Sequence, residues 1–338
     1  MHFFLNRPDN IGDVILTMPL AAQLKKYFPD CKISMFARTY AKEMVEACLD
    51  IDQFICCDGF YDLDEATQIQ KIRDWQVDVF VPGHPQPHLS KIMRKARVPI
   101  RIGYTNRFHY LWNANKILRI KRKRCDLHQA QMGLQFLKAF KLPSWMPREE
   151  LADWIRVKVE PNAKMQALLD PGAFNLVLHP GTNGHTIEWP KEHFAKLIQI
   201  LPPQVKIYLT GSAAEAEKYG DLVLDKRVVP LFGMLSLQEF IAFLKAADGV
   251  VVGSTGPLHI SAAFGTRVLG LFPAQKDLNT ERWGPLGKNA SALEAPHCAI
   301  SRPRDPKRCD CMKYITPEQV CDFIQRHWLD KQQAQGVG

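Results

Sequence analysis

Strand-length apolar runs that end in Gly, Pro, Ser or Thr turns and pass into helical spacing recur through this chain, and that alternation points to a parallel α/β architecture. The second half shows it best. Asn175–His179 ends in Pro180-Gly181, Lys206–Thr210 ends in Gly211, and Gly249–Val252 and Val268–Phe272 follow as further strands. Helices are predicted over His193–Leu201, from a capping box of Ser236 and Glu239 through Ala247, over Pro257–Phe264, and over Val320–Trp328 behind Thr316, Pro317 and Gln319. In the first half His2–Leu5, Ile33–Phe36, Phe54–Cys57 and Val77–Val81 are strands, with Leu20, Leu24 and Tyr27 at helical spacing between the first two. A chain of 338 residues is long for one core and suits two domains. The boundary is expected in Pro161–Gly172, giving residues 1–165, residues 166–330 and a frayed tail, 331–338. The fold class is therefore two doubly wound, Rossmann-like α/β domains facing each other across a cleft. Ligands in such sheets sit outside the carboxyl ends of the strands.

Several function classes are excluded. No apolar run reaches the ~18 residues of a membrane span, and Phe3–Leu5 is too short for a secretory signal, so a cytoplasmic protein is expected. Nine cysteines, an odd number, read as thiols rather than as a disulfide framework. Cys298, Cys309 and Cys311 lie near His297, but Cys309-x-Cys311 lacks the usual zinc spacer, so no metal is expected. Neither G-x-G-x-x-G nor the P-loop pattern occurs, which argues against ordinary dehydrogenases and P-loop kinases. Val252 stands where a hydrolase elbow around Ser254 would need glycine.

The net charge of +9 is unevenly placed: from Lys91 to Arg124 there are twelve Lys or Arg and no Asp or Glu. A solvated face is the plain reading. Twelve uncompensated cations repel one another, however, and anionic lipid, phosphorylated sugar or nucleic acid would relieve that. No stacking motif or recognition helix favours nucleic acid.

Three strand-end loops of the second half are small and polar: His179-Pro180-Gly181-Thr182-Asn183-Gly184, Gly211-Ser212-Ala213-Ala214-Glu215 and Gly253-Ser254-Thr255-Gly256-Pro257-Leu258-His259. Any one is an ordinary α/β turn. Three together suit a phosphate, because glycine admits close approach and helix N-termini present N–H donors. In the first half, Asp13 in Asn10-Ile11-Gly12-Asp13-Val14 sits at a helix N-terminus facing the expected cleft. It is either a carboxylate favoured by the helix dipole or a general base for an acceptor hydroxyl.

Gly12-Asp13-Val14-Ile15-Leu16-Thr17-Met18-Pro19, His179-Pro180-Gly181-Thr182 with Trp189-Pro190, and Ser254-Thr255-Gly256-Pro257-Leu258-His259-Ile260-Ser261-Ala262-Ala263 occur in that order, and together the chain resembles the lipopolysaccharide heptosyltransferases of glycosyltransferase family 9 over nearly its whole length. The resemblance implies a GT-B fold, an inverting mechanism without metal or cofactor, an ADP-heptose donor, and a lipopolysaccharide inner-core (Kdo/heptose) acceptor. It implies that Asp13 is the base, that Thr182, Thr255, Gly256 and His259 contact phosphate, that Glu215 holds the ribose, and that the backbone at Leu235 meets the adenine. Asn183 and Ser254 complete the implied donor site. Arg101, Arg119, Lys121, Arg122, Lys123 and Arg124 are the expected acceptor cations. The expected partners are thus a nucleotide-diphosphate sugar and an anionic lipid-linked glycan, met peripherally at the cytoplasmic face of the inner membrane by a monomer that binds no nucleic acid. Two departures stand out: Ser254 replaces an Asp that contacts the donor sugar, and Ile187 replaces a Lys that neutralises the diphosphate. Lys191, Lys276 and Arg282 are alternative sources of that charge. A different donor or acceptor, or a non-catalytic nucleotide-sugar binder, are the alternatives.

Overall fold

The computed structural model describes residues 1–105, 107–120, 126–182, 184, 186–224, 226–297 and 309–330. The chain divides into two units, Met1–Lys158 and Val159–Gly338. The first holds strands β1 (His2–Asn6), β2 (Lys32–Ala37), β3 (Gln53–Cys56), β4 (Val79–Val81), β5 (Ile100–Tyr104) and β6 (Lys116–Leu118); the second holds β7 (Phe174–His179), β8 (Val205–Leu209), β9 (Val228–Pro230), β10 (Gly249–Gly253), β11 (Arg267–Phe272) and β12 (Ala290–Glu294). The sheet orders are β3-β2-β1-β4-β5-β6 and β12-β11-β10-β7-β8-β9, and every pairing is parallel. Both chains of strands run outward from the centre, return to it and run out the other way. Each unit therefore has one topological switch point, between β1 and β4 in the first and between β7 and β10 in the second.

Strands buried on both faces read as continuous apolar runs, and β10 (GVVVG) and β1 are buried throughout. Helices cover both sheets. Ser236 and Glu239 cap the helix Leu237–Ala246, and Thr316 and Gln319 cap Pro317–Ile324, as their spacing predicts. In the first unit Phe4, Phe36, Phe60 and Phe80 form an aromatic core on which Trp75 stacks. In the second, Trp189, Phe194 and Trp328 lie in one core. A Cβ on Gly249 would come within 2.7 Å of the Trp328 ring, so glycine is what lets the turn Gln325–Leu329 seal the sheet.

The strands β5, β6, β9 and β12 are additions to the sequence reading. Each carries charge, proline or half-exposed positions, as strands at or near a sheet edge do. They turn the basic stretch into a folded element, and one expectation about it fails. Lys91 and Lys95 are not uncompensated: both reach Glu65, because the helix Pro87–Lys95 packs beside the helix Glu65–Asp74. Arg101 is also spoken for. Its guanidinium donates to Val98 O and, at 2.9 Å, to Asn113 O. Arg119 is exposed and forms no ion pair among the described residues; Lys121, Arg122, Lys123, Arg124 and Cys125 lie outside them.

Candidate active site

At each switch point two loops diverge from the carboxyl ends of adjacent strands, and both groups of predicted residues gather there.

In the first unit the loop after β1 carries Arg7, Asp9 and, in the helix Ile11–Ile15, Asp13. Arg7 is buried, with every nitrogen engaged: Nη1 donates to Asp9 Oδ2 (2.8 Å) and Gly83 O (3.0 Å), Nη2 to Asp13 Oδ1 (2.9 Å) and Nε to Thr17 Oγ1 (2.9 Å). Thr17 Oγ1 in turn donates to Asp13 O. The loop after β4 closes the cluster: His84 Nδ1 lies 3.2 Å from Asp9 Oδ2, and Asn6 holds the His84 carbonyl. Burial raises the cost of Asp9's charge, but Arg7 and His84 outweigh it and hold the carboxyl below its ordinary range. Burial likewise works against the Arg7 cation, and Asp9 and Asp13 outweigh that too. Asp13 lies in the first turn of its helix, and its Oδ1 accepts from the guanidinium of Arg7, six residues earlier. Arg7, Asp9 and His84 are missing from the sequence reading. The signal available was a polar run immediately after a buried strand; their meeting with His84 is a contact across 75 residues.

In the second unit the loops after β7, β8 and β10 come together. A Cβ on Gly181 would fall 1.8 Å from Glu215 Oε1, and one on Gly211 2.9 Å from Glu215 Oε2, so both glycines exist to admit that carboxylate. Glu215 Oε2 accepts from Ser212 N (2.8 Å) and Ser212 Oγ (3.0 Å). Next to it lies a cavity of about 230 Å³ lined by His179, Thr210, Gly211, Ser212, Leu231, Leu235, Leu237 and Phe240. Its walls are apolar and its floor is polar, with His179 Nδ1 2.9 Å from Thr210 Oγ1. Burial pushes His179 down to about 4 against the pull of Glu215.

Thr182 is buried; its hydroxyl is 3.3 Å from both Thr186 O and Glu188 Oε1, and Lys218 pairs with Glu188. Lys218 was not among the cations the sequence suggested. Of those, Lys191 is bound to Asp221 (2.6 Å), and Arg282 lies over Trp283 with Asp277 at 3.9 Å. Ile187 faces the core beside Trp189, so no charge stands there. Across the switch point, a Cβ on Gly253 would meet Thr182 Cγ2 at 3.6 Å, which places the β7 and β10 loops in contact. Ser254, Thr255 and Gly256 are half-buried at the start of the helix Gly256–Ala263, and Thr255 makes no side-chain cap. His259 is buried, its Nδ1 has no hydrogen-bond partner among the described residues, and burial lowers it to about 4, leaving a neutral ring. Asn183 and Cys298 lie outside the described residues; Cys309 and Cys311 are in the second core, and no group of three His, Cys, Asp or Glu among the described residues is placed to hold a metal ion.

Comparison with known proteins fits this geometry. The profile of glycosyltransferase family 9 (heptosyltransferase) matches residues 76–311. A Haemophilus influenzae protein with a provisional glycosyltransferase name is 25% identical, over 83% of this chain and 84% of its own length. Lipooligosaccharide heptosyltransferase 2 of the same organism is 24% identical over 80% and 83%. Among solved structures, the E. coli ADP-heptose lipopolysaccharide heptosyltransferase II superposes with a TM-score of 0.76 at 17% identity, covering 98% of this chain and all of that one. That likeness is one of fold: two parallel six-stranded α/β units, the GT-B class.

Proposed function

The chain belongs to glycosyltransferase family 9, the heptosyltransferases, and from that premise we propose that this glycosyltransferase moves a heptose from ADP-heptose to an inner-core sugar of lipopolysaccharide. The observation that carries the reading is the pairing, at the carboxyl end of β7, of a nucleobase-sized cavity with a helix start whose buried His259 has an Nδ1 without a hydrogen-bond partner among the described residues. Leu231, Leu235, Leu237 and Phe240 supply the apolar walls a base needs. Glu215, wedged against Gly181, stands where it would take the ribose hydroxyls. Thr182, Thr255 and Gly256 border the place of the diphosphate, and neutral His259 offers one N–H rather than a charge.

The chemical step is an inverting displacement. The acceptor hydroxyl oxygen attacks the anomeric carbon, its proton passes to the Asp13 carboxylate, and the bond from that carbon to the diphosphate oxygen breaks to release the nucleotide. Arg7 fixes the Asp13 carboxylate, as a base must be fixed to act within hydrogen-bond reach. Lys218 neutralises Glu188 beside Thr182 and so spares the leaving diphosphate a nearby negative charge, a role that Ile187 cannot fill. The exposed cations of the first unit, Arg119 among them, serve the anionic acceptor.

Ser254 and the core position of Ile187 favour a second reading within the same class, a family-9 transferase with another nucleotide sugar. A thermal-shift panel of ADP-, GDP- and UDP-sugars separates the two. Stabilisation by ADP-heptose alone supports the first; stabilisation by a GDP- or UDP-sugar instead replaces it with the second.

A further inference from the structure

The first sheet is charged differently at its two edges. Residues 43–70, which lead into and out of β3, hold eight Asp or Glu and no Lys or Arg; residues 79–125, which hold β4 to β6, have cations and no Asp or Glu. The sheet order sets β3 at one edge and β6 at the other. On the acidic side, the loops that leave the carboxyl ends of β1, β2, β3 and β4 are tied into a closed circuit. Tyr40 Oη donates to Asp9 O (2.7 Å), Thr39 N to Asp58 Oδ2 (2.8 Å) and Tyr61 Oη to Gln86 Oε1, and His84 Nδ1 meets Asp9 Oδ2. Tyr40 and Tyr61 are thus fixed by their hydroxyls, yet they are 42% and 39% exposed. Tyr61 also packs edge-on against Phe36 and Phe60. Burial pushes both phenols up, that of Tyr40 to about 12, so both stay neutral. Beside them Asp58, Asp62 and Asp64 are exposed and form no ion pair among the described residues. Arg7 is spent on Asp9 and Asp13, which leaves Arg38 as the one exposed cation among the described residues of these four loops.

We propose that Tyr40 and Tyr61 are the platform on which the reacting acceptor sugar stacks, and that the carboxylates of the β3 loop make it an uncharged pyranose rather than a sugar acid or a phosphosugar. A pyranose offers a flat C–H face, which suits the electron-rich face of a tyrosine, and a fringe of hydroxyls, which suits carboxylate acceptors. Rings that are already fixed lose little freedom on binding. A phosphate or carboxylate on the same sugar would meet Asp58, Asp62 and Asp64 where it needs counter-ions. Tyr40 is tied to Asp9, four residues before Asp13, so the platform belongs to the segment that carries the base. The inference rests on the reading that the first unit takes the acceptor, and it narrows that reading. The acceptor has one orientation, with its neutral reacting sugar over β2 and β3 and its anionic remainder toward the cations of β5 and β6.

The test is saturation-transfer NMR of the full chain with three methyl glycosides: a heptoside, a phosphorylated heptoside and the glycoside of a keto-sugar acid. No nucleotide sugar is present. The uncharged heptoside is expected to bind through its ring C–H groups, and the two acids at least about tenfold more weakly. Tyr40→Leu with Tyr61→Leu should lower heptoside affinity about tenfold while nucleotide affinity holds; Tyr61→Phe, which keeps the aromatic face, should retain most of it. Asp58→Asn with Asp62→Asn should raise affinity for the phosphorylated heptoside about tenfold, a gain that a merely structural role for these loops would not give. Should the leucine variant fail to fold, the asparagine variant decides. The proposal is overturned if the unaltered chain binds the phosphorylated heptoside as well as the neutral one, or binds no heptoside, or if neither the leucine nor the asparagine variant alters binding. Because no donor enters the assay, the transferase reading is judged separately, by the donor panel and by Asp13→Ala. Failure here beside success there moves the acceptor subsite and leaves the reaction standing.

Discussion

The two switch points share a topology and differ in how they are filled. At β1/β4 charged groups hold one another: Arg7 spends its donors on Asp9, Asp13, Thr17 and Gly83, and His84 reaches Asp9 Oδ2, while Asp9 Oδ1 and Asn6 Oδ1 are buried with no partner among the described residues. At β7/β10 and its neighbour β8 the unfilled places lie near a cavity. Among the described residues Thr255 caps nothing and His259 Nδ1 has no hydrogen-bond partner, and a cavity lies beside His179. A buried polar group without a partner costs stability. In the function proposed above, the charged cluster would hold the base and the cavity would take the donor. That is the division of labour expected of a base and of a donor site.

The comparison breaks first at Arg7. Arg7→Met should destabilise the first unit by roughly 3–5 kcal/mol, because Asp9 and Asp13 would be left buried without their cation. A melting temperature unchanged by this substitution would mean that charge does not hold the first centre together. Next is Asp13→Ala, which should cut turnover by roughly 10²–10⁴ while nucleotide affinity stays level. Isothermal titration beside steady-state rates reads both, and intact turnover on a verified acceptor removes Asp13 from the mechanism.

Acid separates the two units. His259 has its folded value lowered to about 4 from an ordinary 6.5, so as pH falls through that interval the unfolded chain takes up a proton that the folded one refuses. The stability lost is on the order of 3 kcal/mol for His259, and His179, which borders the cavity and is likewise lowered to about 4, acts in the same direction. Asp9 works the other way. Its contribution is present above the usual carboxylate value and is lost only as pH falls below it. His2 and His109 of the first unit are also lowered, but His2 keeps partners on both ring nitrogens and His109 is half-buried. Amide exchange between pH 6.5 and 4 should therefore open the second unit first; the reverse order contradicts the contrast. The smallest effect is Gly181→Ala. The added methyl displaces Glu215 and should weaken nucleotide binding by about tenfold, near 1.4 kcal/mol, with the first unit's melting untouched.

What could be read in advance followed physical locality. The central strands β1, β7, β10 and β11 were legible because burial on both faces makes them continuously apolar, and the Ser236 and Thr316 caps because three-residue spacing defines them. β6 and β9, three residues each, carry too little pattern to be seen. The loops around Thr182, Glu215 and Thr255 were legible as candidates, since small residues after a strand have few uses. What makes them a site, Glu215 lying against Gly181 and Thr182 against Gly253, is contact between segments that only the sheet order brings together. The Arg7–Asp9–His84 cluster escaped for the same reason, and so did Glu65 beneath Lys91 and Lys95.

The seat of Trp328 on Gly249 bears on how the protein is made. The first unit has all its parts by Lys158, where Arg156 already holds Asp50 and Lys158 already bonds Ala47. It can fold while the rest is still being translated. The second unit has no such option: its six strands emerge before the helix Pro317–Ile324 and the turn through Leu329 that bury Trp328 against β10. A chain stopped before Pro317 should keep the first unit's protease resistance and bind hydrophobic dyes through the second. Until the ribosome lets go of that closing segment, the newborn enzyme holds a finished first unit and a second one that is still greasy, and chaperones have their opportunity there.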